Sequence, residues 1–115
     1  MSSRSTALLI EDMFEAVAKI ERYTAGYNFD RFLADDRTTD AVVRNLEIIG
    51  EAAARLPLSA REAFSQVEWP KIIGLRNRIV HEYFGVDMEI VWHIIKGDLA
   101  ELINILEQMR GEMRE

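Results

Sequence analysis

The chain has 115 residues, a formal net charge of -6 and no cysteine. That length fits one domain, residues 1–115, removing about two thirds of its unfolded surface from water. The missing cysteine excludes a disulfide framework or a cysteine-based metal site and suits a reducing cytosol.

Met1-Ser2-Ser3-Arg4-Ser5-Thr6 leads into an amphipathic pattern broken by Glu11 and Asp12, which is no secretory signal, and no apolar run approaches a membrane span. A soluble cytoplasmic protein, not bound to membrane, is expected. In the first helix Ser5 is the predicted N-cap, and Ile10, Phe14 with Met13, Val17 and Ile20 recur at helical spacing until Gly26. Tyr27-Asn28-Phe29-Asp30 reads as a turn, with Asp30 able to cap a short turn through Arg31-Phe32-Leu33 and Asp35-Asp36 offering another start.

The second helix is predicted from about Thr38 to Leu56, where Pro57 ends it. Val42, Leu46, Ile49 and Ala53 form its core stripe, and Arg44, Ile48, Glu51 and Arg55 line the opposite side. That second face reads either as a ladder of helix ion pairs, each contributing about 0.2–0.5 kcal/mol, or as a subunit interface. Gly50 with Ala52-Ala53-Ala54 would let another helix approach closely.

Ser59-Ala60-Arg61-Glu62 has the capping-box pattern of a short helix ending near Gln66. Trp69-Pro70 then opens a helix predicted to run to about Gly85. Asp87 caps a last long helix with apolar positions Val91, Ile94, Leu102, Ile105 and Met109. No strand pattern is visible, so the expected fold is all-α, an antiparallel four-helix bundle with short extra helices.

The chemistry concentrates in Arg76-Asn77-Arg78-Ile79-Val80-His81-Glu82-Tyr83. On one continuous helix at about 100° per residue, Ile72, Ile79, Val80 and Tyr83 flank Arg76, a costly place for a guanidinium. Its partner would be Glu51 or a phosphate. Asn77 and His81, four apart, would be neighbours, whereas Arg76 and His81 would diverge by about 140° and converge only by leaning or across a subunit interface. His81 is either a helix-terminal cation favoured by the dipole or a group passing protons near neutral pH. Asn77 either satisfies backbone groups or holds the imidazole or a phosphate oxygen.

Here the sequence resembles the HEPN domains, and within them the HepT-type toxins. The resemblance rests on Arg76, Asn77, His81 and Tyr83 without a gap, on Leu46-Glu47-Ile48-Ile49-Gly50-Glu51-Ala52, on Trp69 before the motif and on Val86-Asp87 after it. It spans residue 8 to the last helix. It implies a single HEPN-like domain forming a homodimer and acting as a metal-independent endoribonuclease toxin of the type VII HepT/MntA kind. Arg76 and His81 would be catalytic, with Asn77 and Glu51 in support, and a 2',3'-cyclic phosphate would result. It further implies a cognate minimal nucleotidyltransferase antitoxin, MntA-like, that neutralises the toxin by AMPylating Tyr83. A non-catalytic helical subunit that binds nucleotide or RNA beside such a nucleotidyltransferase is the alternative.

The charge distribution bears on an RNA substrate. From Arg44 to His81 six basic residues face four acidic ones, a local +2, so the remainder carries -8. Arg78, Lys71 and Arg44 are the candidate RNA contacts. With two His, no Cys and scattered acids, no metal constellation and no cofactor are expected. His93 is assigned to surface or packing, and Trp69 and Trp92 to the core.

Overall fold

The computed structural model describes residues 4–81 and 85–113, with backbone alone at 76, 79–81, 85–86 and 113. Helix α1, Thr6–Thr24, begins where the Ser5 hydroxyl accepts the Leu8 N–H at 3.2 Å. Its apolar spacing buries Leu9, Ile10, Met13, Val17 and Ile20. Gly26, with φ 76°, takes the left-handed conformation that turns the chain away. The short α2, Phe29–Ala34, is capped by Asn28 rather than Asp30, because the Asn28 side chain already reaches the Arg31 N–H at 2.8 Å.

Helix α3, Asp36–Arg55, is the central column, packing on α1 and on the segment carrying the motif. Asp35 caps it by accepting the Thr38 N–H at 3.1 Å, so the helix begins two residues before the predicted start. Val42, Leu46, Ile49 and Ala53 are all 0% exposed, as their spacing predicts, and each large apolar side chain so buried contributes roughly 1.5–3 kcal/mol. Helix α4, Leu58–Ala63, has Pro57 at its cap position and no side-chain cap bond. The Ser59 capping box therefore does not form, because the helix starts before Ser59.

The predicted helix from Pro70 to Gly85 is corrected in two places. It opens with α5, Trp69–Ile73, bends at Gly74 (φ -87°, ψ 14°) and continues as α6, Leu75–Ile79. It then gives way to two short antiparallel strands, β1 (Val80–His81) and β2 (Gly85–Val86), paired Val80 with Val86 and His81 with Gly85. Val80, Tyr83, Phe84 and Val86 are residues that favour extended backbone, and a short apolar run of this kind is ambiguous between helix and strand.

Helix α7, Met88–His93, starts at the Asp87 cap and runs through a π-helical turn, Ile94–Asp98, into α8, Leu99–Met113. Buried positions there are Val91, Ile94, Leu99, Leu102, Leu106 and Met109. The step of five from Ile94 to Leu99 matches the wider π turn and moves the core stripe from Ile105, which is half-buried, to Leu106. The protein is thus an all-α, HEPN-like bundle of four columns, α1, α3, α5–α6 and α7–α8. No helix among the described residues is long and apolar enough to cross a membrane.

Candidate functional site

Trp69 anchors the motif segment. Its buried indole N–H donates to the carbonyls of Arg61, at 3.0 Å, and Phe64, at 3.1 Å, tying α5 to the end of α4. On its other side α5 meets Gly50 of α3. A Cβ there would stand 3.1 Å from the Ile72 carbonyl oxygen and 3.3 Å from that of Ile73. Gly50 therefore admits α5 of its own chain. The expectation that it serves approach by a second subunit is corrected, since that space is already filled.

This close seat forms a groove of about 290 Å³ between α3 and α5–α6, lined by Glu47, Gly50, Glu51, Ala54, Ile73 and Asn77. Two of the sequence-derived candidates, Asn77 and Glu51, thus meet at one place. Both are exposed, and Glu51 makes no ion pair with any described side chain. Glu47, one helical turn before Glu51, also lines the groove; its i, i+4 spacing was the available signal for it. The two carboxylates leave the described lining negative, so an RNA phosphate entering it needs a cation from elsewhere.

Arg76 lies in α6 and His81 in β1. The end of the helix at Ile79 removes both helical relations expected of His81, its one-turn stacking on Asn77 and its fixed divergence from Arg76. The bend at Gly74 likewise interrupts the stripe from Ile72 to Arg76. Tyr83 lies outside the described residues.

Lys71 and Arg78 are placed elsewhere, in a cavity of about 700 Å³ whose lining includes Ile72, His93, Asp98, Glu101, Asn104 and Ile105. Asn77 and Arg78 are consecutive, so α6 forms a ridge between groove and cavity. Lys71 is held by Glu68 at 2.8 Å and Arg78 faces Asp98 at 3.6 Å, so neither cation is uncommitted. Arg44 lies exposed on α3 and lines neither space. His93 is exposed at the cavity. Trp69 is core, whereas Trp92 is half-buried, its ring 5.1 Å from that of Phe32. Among the described residues no group of three or more His, Cys, Asp or Glu is placed to hold a metal ion.

The family model for HepT-like proteins, described as ribonuclease HepT-like, matches residues 13–109. The chain belongs to the HepT-like family. A relative in Thermococcus cleftensis, named probable ribonuclease HepT, is 36% identical over 107 residues, covering 93% of this chain and 97% of its own. This HepT-like chain is also 34% identical to a Methanocaldococcus jannaschii protein over 116 residues, 97% of one chain and 96% of the other. A Caldanaerobacter subterraneus protein is 47% identical over 83 residues, 72% and 73% of the two chains. Both of these carry provisional RNase names. No solved structure gives a significant match.

Proposed function

We propose that this HepT-like protein is a metal-independent endoribonuclease, the toxin of a type VII toxin–antitoxin pair, working as a homodimer. The observation that carries the reading is the groove in which Asn77 of α6 and Glu51 of α3 meet beside the Arg76–His81 segment; membership of a ribonuclease family supports it.

In this reading the ribose 2'-oxygen attacks the adjacent phosphorus, the bond to the 5'-oxygen breaks, and a 2',3'-cyclic phosphate and a 5'-hydroxyl result. His81 takes the 2'-hydroxyl proton or gives one to the leaving 5'-oxygen, an imidazole being able to act as either base or acid. Arg76 stabilises the charge that builds on the phosphoryl oxygens. Asn77 and Glu51 orient these groups and the substrate; Lys71 and Arg78, across the α6 ridge and held by Glu68 and Asp98, and Arg44, outside the groove, do not meet the scissile phosphate there.

Tyr83 would be the acceptor for AMP supplied by a cognate minimal nucleotidyltransferase. Each added nucleotide brings negative charge beside the cleft and opposes RNA phosphate by ordinary electrostatics.

The acidic lining by Glu47 and Glu51, which opposes RNA phosphate in the groove, bears against cleavage there and leaves a second reading, a non-catalytic helical subunit that binds nucleotide or RNA elsewhere on its surface for such a partner. Arg76→Ala and His81→Ala separate the two. Loss of RNA cleavage with an unchanged helical circular-dichroism spectrum supports the enzyme, and a purified wild type that cleaves no RNA supports the binding subunit.

A further inference from the structure

The outward face of α3 carries Asp40, Arg44, Glu51 and Arg55, all exposed, with half-buried Ile48 at its flank and Leu58, 62% exposed, just beyond its end. None of these four charges makes an ion pair among the described residues, although Asp40–Arg44 and Glu51–Arg55 have the i, i+4 spacing that would allow one. The predicted ladder of helix ion pairs therefore does not form. By contrast Lys19–Glu15 and Lys71–Glu68 close along their own helices, and Arg110–Glu11 closes between helices.

The arrangement is self-complementary. At about 100° per residue, Arg44 and Glu51 both point along the middle of the face opposite the Val42–Leu46–Ile49–Ala53 stripe, and Asp40 and Arg55 flank them on opposite sides. The midpoint of Arg44 and Glu51 is also the midpoint of Asp40 and Arg55, lying between Glu47 and Ile48. A two-fold axis there sets Arg44 opposite Glu51 and Arg55 opposite Asp40, as an isologous interface requires, with exposed Arg37 meeting Leu58; a shift of one turn sets like charges together.

We infer that α3 is the docking face for a second copy of this chain, the two helices packing antiparallel about that axis, with Arg44 opposite the partner's Glu51 and Arg55 opposite the partner's Asp40. This takes from the functional reading only that the chain pairs with itself. The face, the register and the charge pairs come from α3. Glu51 also lines the Asn77 groove, so the partner's helix walls that groove and the partner's Arg44 offsets its acidic lining.

The test is sedimentation velocity on the full chain over a dilution series, with no nuclease assay in the readout. Wild type is expected to be dimeric. Arg44→Glu and Glu51→Arg each remove two symmetry-related pairs and set like charges opposite one another, weakening the dimer about tenfold or more. The double variant Arg44→Glu/Glu51→Arg restores it. Pairing within one helix predicts the reverse, since the double variant puts a second anion one turn from Asp40 and a second cation one turn from Arg55. Asp40→Arg, Arg55→Asp and their combination repeat the experiment at positions outside the groove, should the first set fold poorly by circular dichroism. A wild type that is monomeric throughout, single variants with wild-type affinity, or a double variant no better than the singles would overturn the inference. A dimer that follows this pattern yet cleaves no RNA would count against the ribonuclease reading alone.

Discussion

Gly50 of α3 lies so close beneath the Ile72 carbonyl of α5 that a Cβ added to it would stand 3.1 Å from that oxygen. The contact is backbone to backbone, so no side-chain rotation relieves it. It fixes how near the motif segment sits to Glu51, and hence the width of the groove holding Asn77. Gly50→Val therefore destabilises the fold by about 1–3 kcal/mol through overpacking. It also lowers RNA cleavage by more than the loss of folded protein explains. Urea denaturation alongside an activity assay corrected for folded fraction checks this.

The last helix is latched to the first by Arg110, whose guanidinium donates to both carboxylate oxygens of Glu11 at 2.7 and 2.8 Å and lies 3.7 Å from the Phe14 ring centroid. The pair is partly exposed, which limits its strength. Arg110→Ala is expected to cost about 1 kcal/mol, the ion pair and the ring contact together. A double-mutant cycle with Glu11→Gln, measured by denaturation, separates them; a coupling of zero would mean that the pair adds no stability.

Asp35 makes stability depend on acid pH. Its carboxylate accepts the Tyr27 hydroxyl at 2.6 Å, the Thr38 hydroxyl at 2.7 Å and the Thr38 N–H at 3.1 Å, and these bonds, Tyr27's foremost, lower its pKa from 3.8 to about 2. A carboxylate depressed on folding stabilises fully above its unfolded pKa and loses that contribution as pH falls through the folded value. The difference in melting temperature between wild type and Asp35→Ala should therefore be constant above about pH 5 and shrink between about pH 4 and 2. A constant difference across that range would contradict the assignment.

The proposed silencing at Tyr83 gives a sharp genetic expectation. Co-expressed with its nucleotidyltransferase, wild type is tolerated, while Tyr83→Phe remains toxic because the phenolic oxygen that accepts AMP is gone. Growth curves with and without the partner decide it; full silencing of Tyr83→Phe would remove modification at this residue as the mechanism.

Local chemistry made much of the bundle legible. Ser5, Asp35 and Asp87 announce helix starts, and the Val42–Leu46–Ile49–Ala53 spacing marks the core face of α3 unaided. What sequence left hidden depends on competition between neighbours. Asn28 displaces Asp30 as a cap because it reaches the Arg31 N–H first. The π turn at Ile94–Asp98 exchanges Ile105 for Leu106 in the core. Residues that favour extended backbone end the motif helix at Ile79. In the candidate site, Asn77 and Glu51 could be chosen by type, but their meeting depends on Gly50 admitting α5, and the separation of Lys71 and Arg78 from that groove follows from the α6 ridge.

In the proposed reaction Arg76 and His81 cleave RNA by charge stabilisation and proton transfer without a metal ion. It is tested most directly by digesting RNA with purified protein in excess chelator, beside His81→Ala, and determining the product ends. Wild type is expected to cleave undiminished, leaving 2',3'-cyclic phosphate and 5'-hydroxyl ends, and His81→Ala not at all. Cleavage abolished by chelator, or equal in the two proteins, would contradict it.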